Sequence, residues 1–95
     1  MDKIRIRELK LTSYACPTQY EGYTIDNIPV YIRYRYGYLS IRLGDKDSDI
    51  FNAVIHGREV FGHQVGDDLD GYIDIEEIKE YTKEIIEWNK LNIKE

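Results

Sequence analysis

One stretch of the sequence decides the fold: Pro29-Val30-Tyr31-Ile32-Arg33-Tyr34-Arg35-Tyr36-Gly37-Tyr38-Leu39-Ser40-Ile41-Arg42-Leu43. Two runs of alternating apolar and polar side chains flank Tyr36-Gly37, and this pattern predicts a β-hairpin with a two-residue turn. Pairing outward from the turn places side chains of one kind opposite each other. One face then holds Val30, Ile32, Tyr34, Leu39, Ile41 and Leu43. The other face holds Tyr31, Arg33, Arg35, Tyr38, Ser40 and Arg42. A slip of one residue would mix the two sets, so the separation supports this register.

The segments around the hairpin predict further strands. Residues 4–11 alternate with a one-residue slip, which indicates a strand with a bulge at Glu8. Residues 19–25 predict a second strand, and residues 59–65 predict another that is broken or bulged at Gly62. Residues 50–55 fit either a helix, with Ser48 as its N-cap and Gly57 as its end, or a strand. We favour the strand, because the segment is short.

The C-terminal part predicts a helix over residues 74–91. Asp74 and Glu77 have the spacing of a capping box. Apolar side chains recur at helical spacing, and we expect them to meet the apolar face of the hairpin: Ile75, Ile78, Ile85 and Trp88. The predicted fold is therefore a single α+β domain over residues 1–95, mostly β over 1–65. It consists of an antiparallel meander of four to five strands with one C-terminal amphipathic helix packed on it.

Composition limits the classes of function. The chain has 95 residues, which is enough for one domain with a marginal core, so a homo-oligomer such as a homodimer would add stability. A single cysteine excludes an intrachain disulfide and predicts a reducing, cytoplasmic setting. No apolar run approaches the roughly 18 residues of a membrane helix, which argues against a membrane partner.

Charge is divided unevenly along the chain. The net charge is −5, with seven basic and four acidic side chains up to Leu43 and six basic and fourteen acidic ones after it. An acidic protein is a poor candidate for duplex DNA, where affinity comes from neutralising phosphates. The balance instead favours a partner with a basic surface, although acidic charge also serves solubility alone.

The hairpin face rich in arginine and tyrosine is the first candidate site. Three guanidinium groups and two phenols share this surface: Tyr31, Arg33, Arg35, Tyr38 and Arg42. Arginine binds phosphate and carboxylate groups through paired hydrogen bonds, and both residue types stack on bases. The face therefore suits a nucleotide, another phosphate anion or an acidic protein loop. Two structural explanations remain open: an ordinary exposed sheet face, or one covered by the acidic C-terminal helix.

A second candidate lies at residues 66–77, which resemble an EF-hand calcium loop. Asp68, Asp70, Asp74 and Glu77 fall at ligand positions of that twelve-residue loop, and Gly71 falls at its glycine position. The resemblance implies a calcium site. Gly66 stands where the family has its first aspartate, however, and no incoming helix is predicted. A turn followed by a helix cap explains the same residues.

Catalytic patterns are weak in this chain. Cys16 has two histidines, His56 and His63, as its candidate partners, but their spacing matches no zinc motif or known nucleophile context. We therefore expect no enzyme and no required cofactor, with calcium as the one metal alternative.

Two segments resemble small proteins of phages and bacteria: Cys16-Pro17-Thr18-Gln19-Tyr20-Glu21-Gly22 and Tyr31-Ile32-Arg33-Tyr34-Arg35-Tyr36-Gly37-Tyr38-Leu39-Ser40-Ile41-Arg42. The resemblance covers about the first half of the chain and brings no functional residues with it. It implies a phage-related setting, in which small acidic proteins often bind or block host factors. We therefore expect a small non-catalytic binding protein that acts on a host macromolecule, most simply a protein. Capture of a nucleotide or other phosphate anion is the alternative, and calcium binding at 66–77 is a further one.

Overall fold

The predicted hairpin is the centre of the sheet in the computed structural model, which describes residues 3–88 and, for the backbone, 92–94. The described strands are β1 (Ile4–Ser13), β2 (Thr18–Thr24), β3 (Pro29–Arg35), β4 (Tyr38–Leu43), β5 (Arg58–Gln64), β6 (Ile86–Glu87) and β7 (Asn92–Lys94). The described helices are α1 (Ile50–His56) and α2 (Ile75–Thr82). These elements make an α+β fold, as predicted.

The register of the hairpin is confirmed. Val30 lies opposite Leu43 and Arg35 opposite Tyr38, with no shift between them. Tyr36 and Gly37 adopt positive φ angles of 56° and 74°, which the tight turn of a two-residue hairpin requires at both positions. The alternation therefore separates an apolar face of the sheet from its arginine face, a name we use for Tyr31, Arg33, Arg35, Tyr38, Ser40 and Arg42.

The strands follow the order β5-β4-β3-β2-β1, and each neighbouring pair is antiparallel. This five-stranded antiparallel part agrees with the predicted meander. The sheet continues beyond it, because β6 and β7 both pair in parallel with the outer edge of β1. These two short strands were not predicted, because a strand of two or three residues is too short to show an alternating pattern.

Two irregularities shape the outer strands. The bulge predicted at Glu8 is confirmed by a register shift between Ile6 and Glu8. Gly22 lies directly beneath it, where a Cβ atom would stand only 1.8 Å from the Glu8 carbonyl oxygen, so glycine is required. In β5 the shift lies between Glu59 and Phe61, and not at Gly62 as predicted.

Residues 50–56 form a helix, so the predicted strand over 50–55 was wrong. Asp49, and not Ser48, is the N-cap, and its carboxylate accepts a hydrogen bond from the Asn52 N–H at 3.3 Å. Gly57 ends the helix as expected. Ala53 is fully buried against the sheet. This packing determines the helix, because a seven-residue helix has little stability of its own in water.

Helix α2 ends at Thr82, so the helix predicted over 74–91 is too long. The Thr82 hydroxyl donates to the Ile78 carbonyl at 2.7 Å and accepts from the Trp88 indole N–H at 2.9 Å. The chain turns there and joins β1, where the Ile4 N–H donates to the Ile85 carbonyl at 2.8 Å. Residues 89–91 of the predicted helix lie outside the described residues.

The predicted core is confirmed. Six of its members are buried: Val30, Ile32, Tyr34, Leu39, Ile41 and Ile78. Four others pack against them: Leu43, Ile75, Ile85 and Trp88. The core lies on the apolar face of the sheet with α2, whereas α1 lies on the arginine face. Within the described residues, neither helix has the length and apolar character needed to cross a membrane.

Candidate functional site

Helix α1 covers part of the arginine face. The Arg42 guanidinium donates to the Val54 carbonyl of α1 at 3.5 Å, and Val54 lies over the strands β3 and β4. The C-terminal helix does not cover this face, because α2 packs against the apolar side. The structural explanation that invoked the C-terminal helix was therefore wrong, and a different element provides the cover.

The position of helix α1 over the arginine face divides the predicted site residues into two groups. Tyr31, Arg33 and Arg42 line a cavity of 190 Å³ together with Ser40 and Val54. Arg35 lies outside this lining and stacks on the ring of Tyr36, with its guanidinium carbon 4.7 Å from the ring centre. Tyr38 also lies outside it and donates a hydrogen bond to the Glu59 carboxylate at 3.1 Å. The structure therefore brings three of the five predicted residues together.

Buried and half-buried donors surround the cavity. Tyr31 and Ser40 are buried, and Arg33 and Arg42 are half-buried. The Gln19 amide donates to the Tyr31 oxygen at 2.7 Å. Burial is the main cause that raises the pKa of Tyr31, and the nearby Arg33 guanidinium opposes it by lowering that pKa. Ser40 was placed on this face by the alternation but was not proposed as a site residue.

The outer face of α1 is the second feature of this region, and it was not predicted from the sequence. We use this name for Phe51 and Ile55, which lie one helical turn apart. Their side chains are 68% and 61% exposed, although Ala53 on the same helix is fully buried. The signal was present in the sequence, because Ile50, Phe51, Val54 and Ile55 make the segment apolar on more than one side.

The loop at 66–77 uses its acidic residues for local structure. The Tyr34 hydroxyl donates to the Asp70 carboxylate at 2.8 Å, and the Glu77 N–H donates to the Asp74 carboxylate at 2.9 Å. Asp68 is exposed, and so is the side chain of Glu77. Across residues 3–88, no three or more potential metal ligands come together. The four predicted calcium ligands are thus not assembled into one group.

The residues considered for catalysis lie on different elements. Cys16 is exposed beside Gly71, whose carbonyl accepts a hydrogen bond from the Cys16 N–H at 2.8 Å. His56 ends α1. His63 lies on β5 and packs against the Phe61 ring at 4.8 Å between centroids. The three residues considered for catalysis therefore lie in three separate parts of the fold.

Comparisons with models of known protein families, with curated proteins and with solved structures found no match to this chain.

Proposed function

We propose that this chain is a non-catalytic binding protein that acts on another protein, with the outer face of α1 as its contact surface. The observation that carries the proposal is the exposure of Phe51 and Ile55 on a helix that is packed on its other side. Helix α1 is apolar on more than one side, and an exposed apolar pair beside a packed face is typical of a surface that binds another molecule. Complete burial of a Phe or Ile side chain contributes about 1.5–3 kcal/mol each, so a partner that covers both gains substantial binding energy.

The surroundings of this face indicate the chemistry of the partner. Asp45, Asp47 and Asp49 are exposed in the loop directly before α1. A partner protein with an apolar groove and basic residues beside it would complement both features. Nucleic acid would be repelled by the same aspartates, and so would a membrane surface made of anionic lipids. Basic groups at the rim predict binding that weakens as the salt concentration rises.

Substitution of the exposed pair tests this proposal. The double variant Phe51→Ser and Ile55→Ser removes the apolar contact, and Leu69→Ser is its control because Leu69 is 95% exposed on a loop. Both variants should change the free energy of unfolding by less than about 0.5 kcal/mol, since exposed side chains contribute little to stability. Each tagged protein is then used to recover partners from cells, and the partner is purified for calorimetry.

We expect one protein that binds the wild type and Leu69→Ser in a stoichiometric amount and fails to bind the double variant. Calorimetry with the purified partner should show an affinity that decreases with salt. Retention of every stoichiometric partner by the double variant would contradict the proposal. A large loss of stability in the double variant would also contradict it, because the pair would then be part of the protein's own core.

A further inference from the structure

The cavity between α1 and the arginine face has an unusual charge balance. Two larger cavities in the described residues have charged linings of both signs. The first, of 620 Å³, contains the Arg5–Glu87 ion pair at 3.2 Å. The second, of 480 Å³, has Arg7, Lys10, Glu8 and Glu21 in its lining. The 190 Å³ cavity has Arg33 and Arg42 as its charged lining residues and no acidic one.

Neither arginine of this cavity has a carboxylate within ion-pair distance in residues 3–88. Two acidic residues pair across the sheet with residues of this face, and both accept hydrogen bonds from hydroxyl groups. Glu59, which lies opposite Arg42, accepts a hydrogen bond from the Tyr38 hydroxyl at 3.1 Å. Glu21, which lies opposite Tyr31, accepts one from the Thr12 hydroxyl at 3.2 Å. Arg33 and Arg42 are therefore half-buried without a direct ion-pair partner in the described residues, and their charge favours an anion in the cavity.

The remaining polar side chains of the cavity are also able to donate hydrogen bonds. The Tyr31 oxygen accepts a hydrogen bond from Gln19, which leaves the phenolic proton free to donate elsewhere. The Ser40 hydroxyl makes a contact of 3.5 Å with the Arg33 carbonyl, at the upper limit for a hydrogen bond, so it is able to turn toward a better acceptor. Four residues that can donate hydrogen bonds thus line one cavity, Arg33 and Arg42 with guanidinium groups and Tyr31 and Ser40 with hydroxyls.

We infer that this cavity binds a phosphate-sized oxyanion, with Arg33 and Arg42 as its charged donors and Tyr31 and Ser40 as its neutral donors. Guanidinium groups recognise phosphate oxygens through paired, charge-assisted hydrogen bonds. The volume of 190 Å³ is below the roughly 300 Å³ at which pockets begin to enclose whole drug-sized ligands. A nucleotide would therefore place its phosphate group in the cavity and leave its base outside. This site is independent of the outer face of α1 and goes beyond the proposed protein binding.

Titration with inorganic phosphate tests the site. Calorimetry and thermal unfolding are carried out at constant ionic strength, with chloride as the balancing anion, so that general screening cancels. The wild type should bind phosphate in a saturable way and show a rising Tm. Arg33→Gln and Arg42→Gln should each weaken binding about tenfold or more, because each removes a charge-assisted donor. Arg35→Gln is the matched control, since Arg35 lies on the same face and does not line the cavity.

A further variant keeps the test decisive if an arginine variant fails to fold. Tyr31→Phe removes one hydroxyl and keeps the ring, and it should weaken phosphate binding severalfold. Failure of phosphate to bind at tens of millimolar, or an equal loss of binding in Arg35→Gln, would overturn the proposal.

A titration with adenosine monophosphate distinguishes a nucleotide from free phosphate as the source of the oxyanion. Binding of both ligands indicates recognition of a phosphate group, and binding of inorganic phosphate alone indicates free phosphate.

Discussion

At the scale of single residues, Tyr34 links the core to the loop that follows β5. Its side chain is 2% exposed, and its hydroxyl donates to Asp70 at 2.8 Å. Burial and the hydrogen bond to the Asp70 carboxylate both raise the pKa of Tyr34 above its ordinary value of 10.0. The folded protein therefore favours the protonated phenol more strongly than the unfolded chain does. The contribution of Tyr34 to stability must depend on pH.

The variant Tyr34→Phe tests this dependence. At neutral pH we expect it to lower the free energy of unfolding by about 1 kcal/mol, the usual net effect of one hydrogen bond. A group whose pKa is raised on folding contributes stability below its unfolded pKa and loses that contribution as pH rises. The wild type should therefore lose stability faster than Tyr34→Phe above the ordinary phenol pKa of 10.0. Urea unfolding from neutral to strongly alkaline pH measures the difference, and parallel profiles would disprove the assignment.

The other shifted tyrosines do not obscure this comparison. Tyr31 and Tyr38 also have raised pKa values, the first chiefly through burial and the second chiefly through its hydrogen bond to Glu59. Both are present in the wild type and in the variant, so their titration affects the two proteins equally. The difference between the two profiles isolates Tyr34.

At the scale of elements, features that depend on residues close together in the sequence were predicted, and features that depend on distant contacts were not. The hairpin from Pro29 to Leu43 was predicted in full register, because its alternation and its turn lie within fifteen consecutive residues. For residues 50–55 the helix and the strand were both considered and the strand was wrongly favoured, because helix α1 depends on Ala53 packing against strands that come earlier in the chain. The cap at Asp74 was predicted, but the end of α2 was not. That end depends on a hydrogen bond between the Thr82 and Trp88 side chains.

The candidate site shows the same limit. Alternation placed Arg33 and Arg42 on one face, but it could not separate them from Arg35. That separation depends on where α1 crosses the sheet. The exposed pair Phe51 and Ile55 was not predicted, because the strand was favoured over the helix for residues 50–55 and a strand has no outer helical face.

The loop at 66–77 permits a direct test of the calcium hypothesis. Asp70 and Asp74 are already bonded to Tyr34 and to the Glu77 N–H, so we expect millimolar Ca²⁺ to leave the Tm unchanged. Thermal unfolding with CaCl2, compared with NaCl at equal ionic strength, measures this. A Tm increase that is lost in Asp70→Ala and kept in Arg35→Gln would instead support calcium binding.

At the scale of the whole molecule, segments far apart in the sequence meet at β1. This strand pairs with β2 on one side and with β6 and β7 on the other, so these two segments widen the sheet at the edge of β1 and do not extend α2. Parallel pairing between segments about eighty residues apart leaves no local pattern in the sequence. The continuous helix was therefore a reasonable interpretation of the spacing from Ile75 to Trp88 and still wrong beyond Thr82.

Two neighbouring isoleucines distinguish the strand from the predicted helix. A helix over 74–91 would direct Ile85 into the core with Ile78, whereas β6 buries Ile86 to 1% exposure and leaves Ile85 half-buried. Ile86→Ala should therefore lower the free energy of unfolding by about 2–5 kcal/mol, the usual cost of such a cavity in a core. Ile85→Ala should cost clearly less, because less of its surface is buried. Urea unfolding followed by the fluorescence of Trp88, the single tryptophan, measures both. A larger loss of unfolding free energy in Ile85→Ala than in Ile86→Ala would contradict the pairing of β6 with β1. It would instead support the predicted continuous helix.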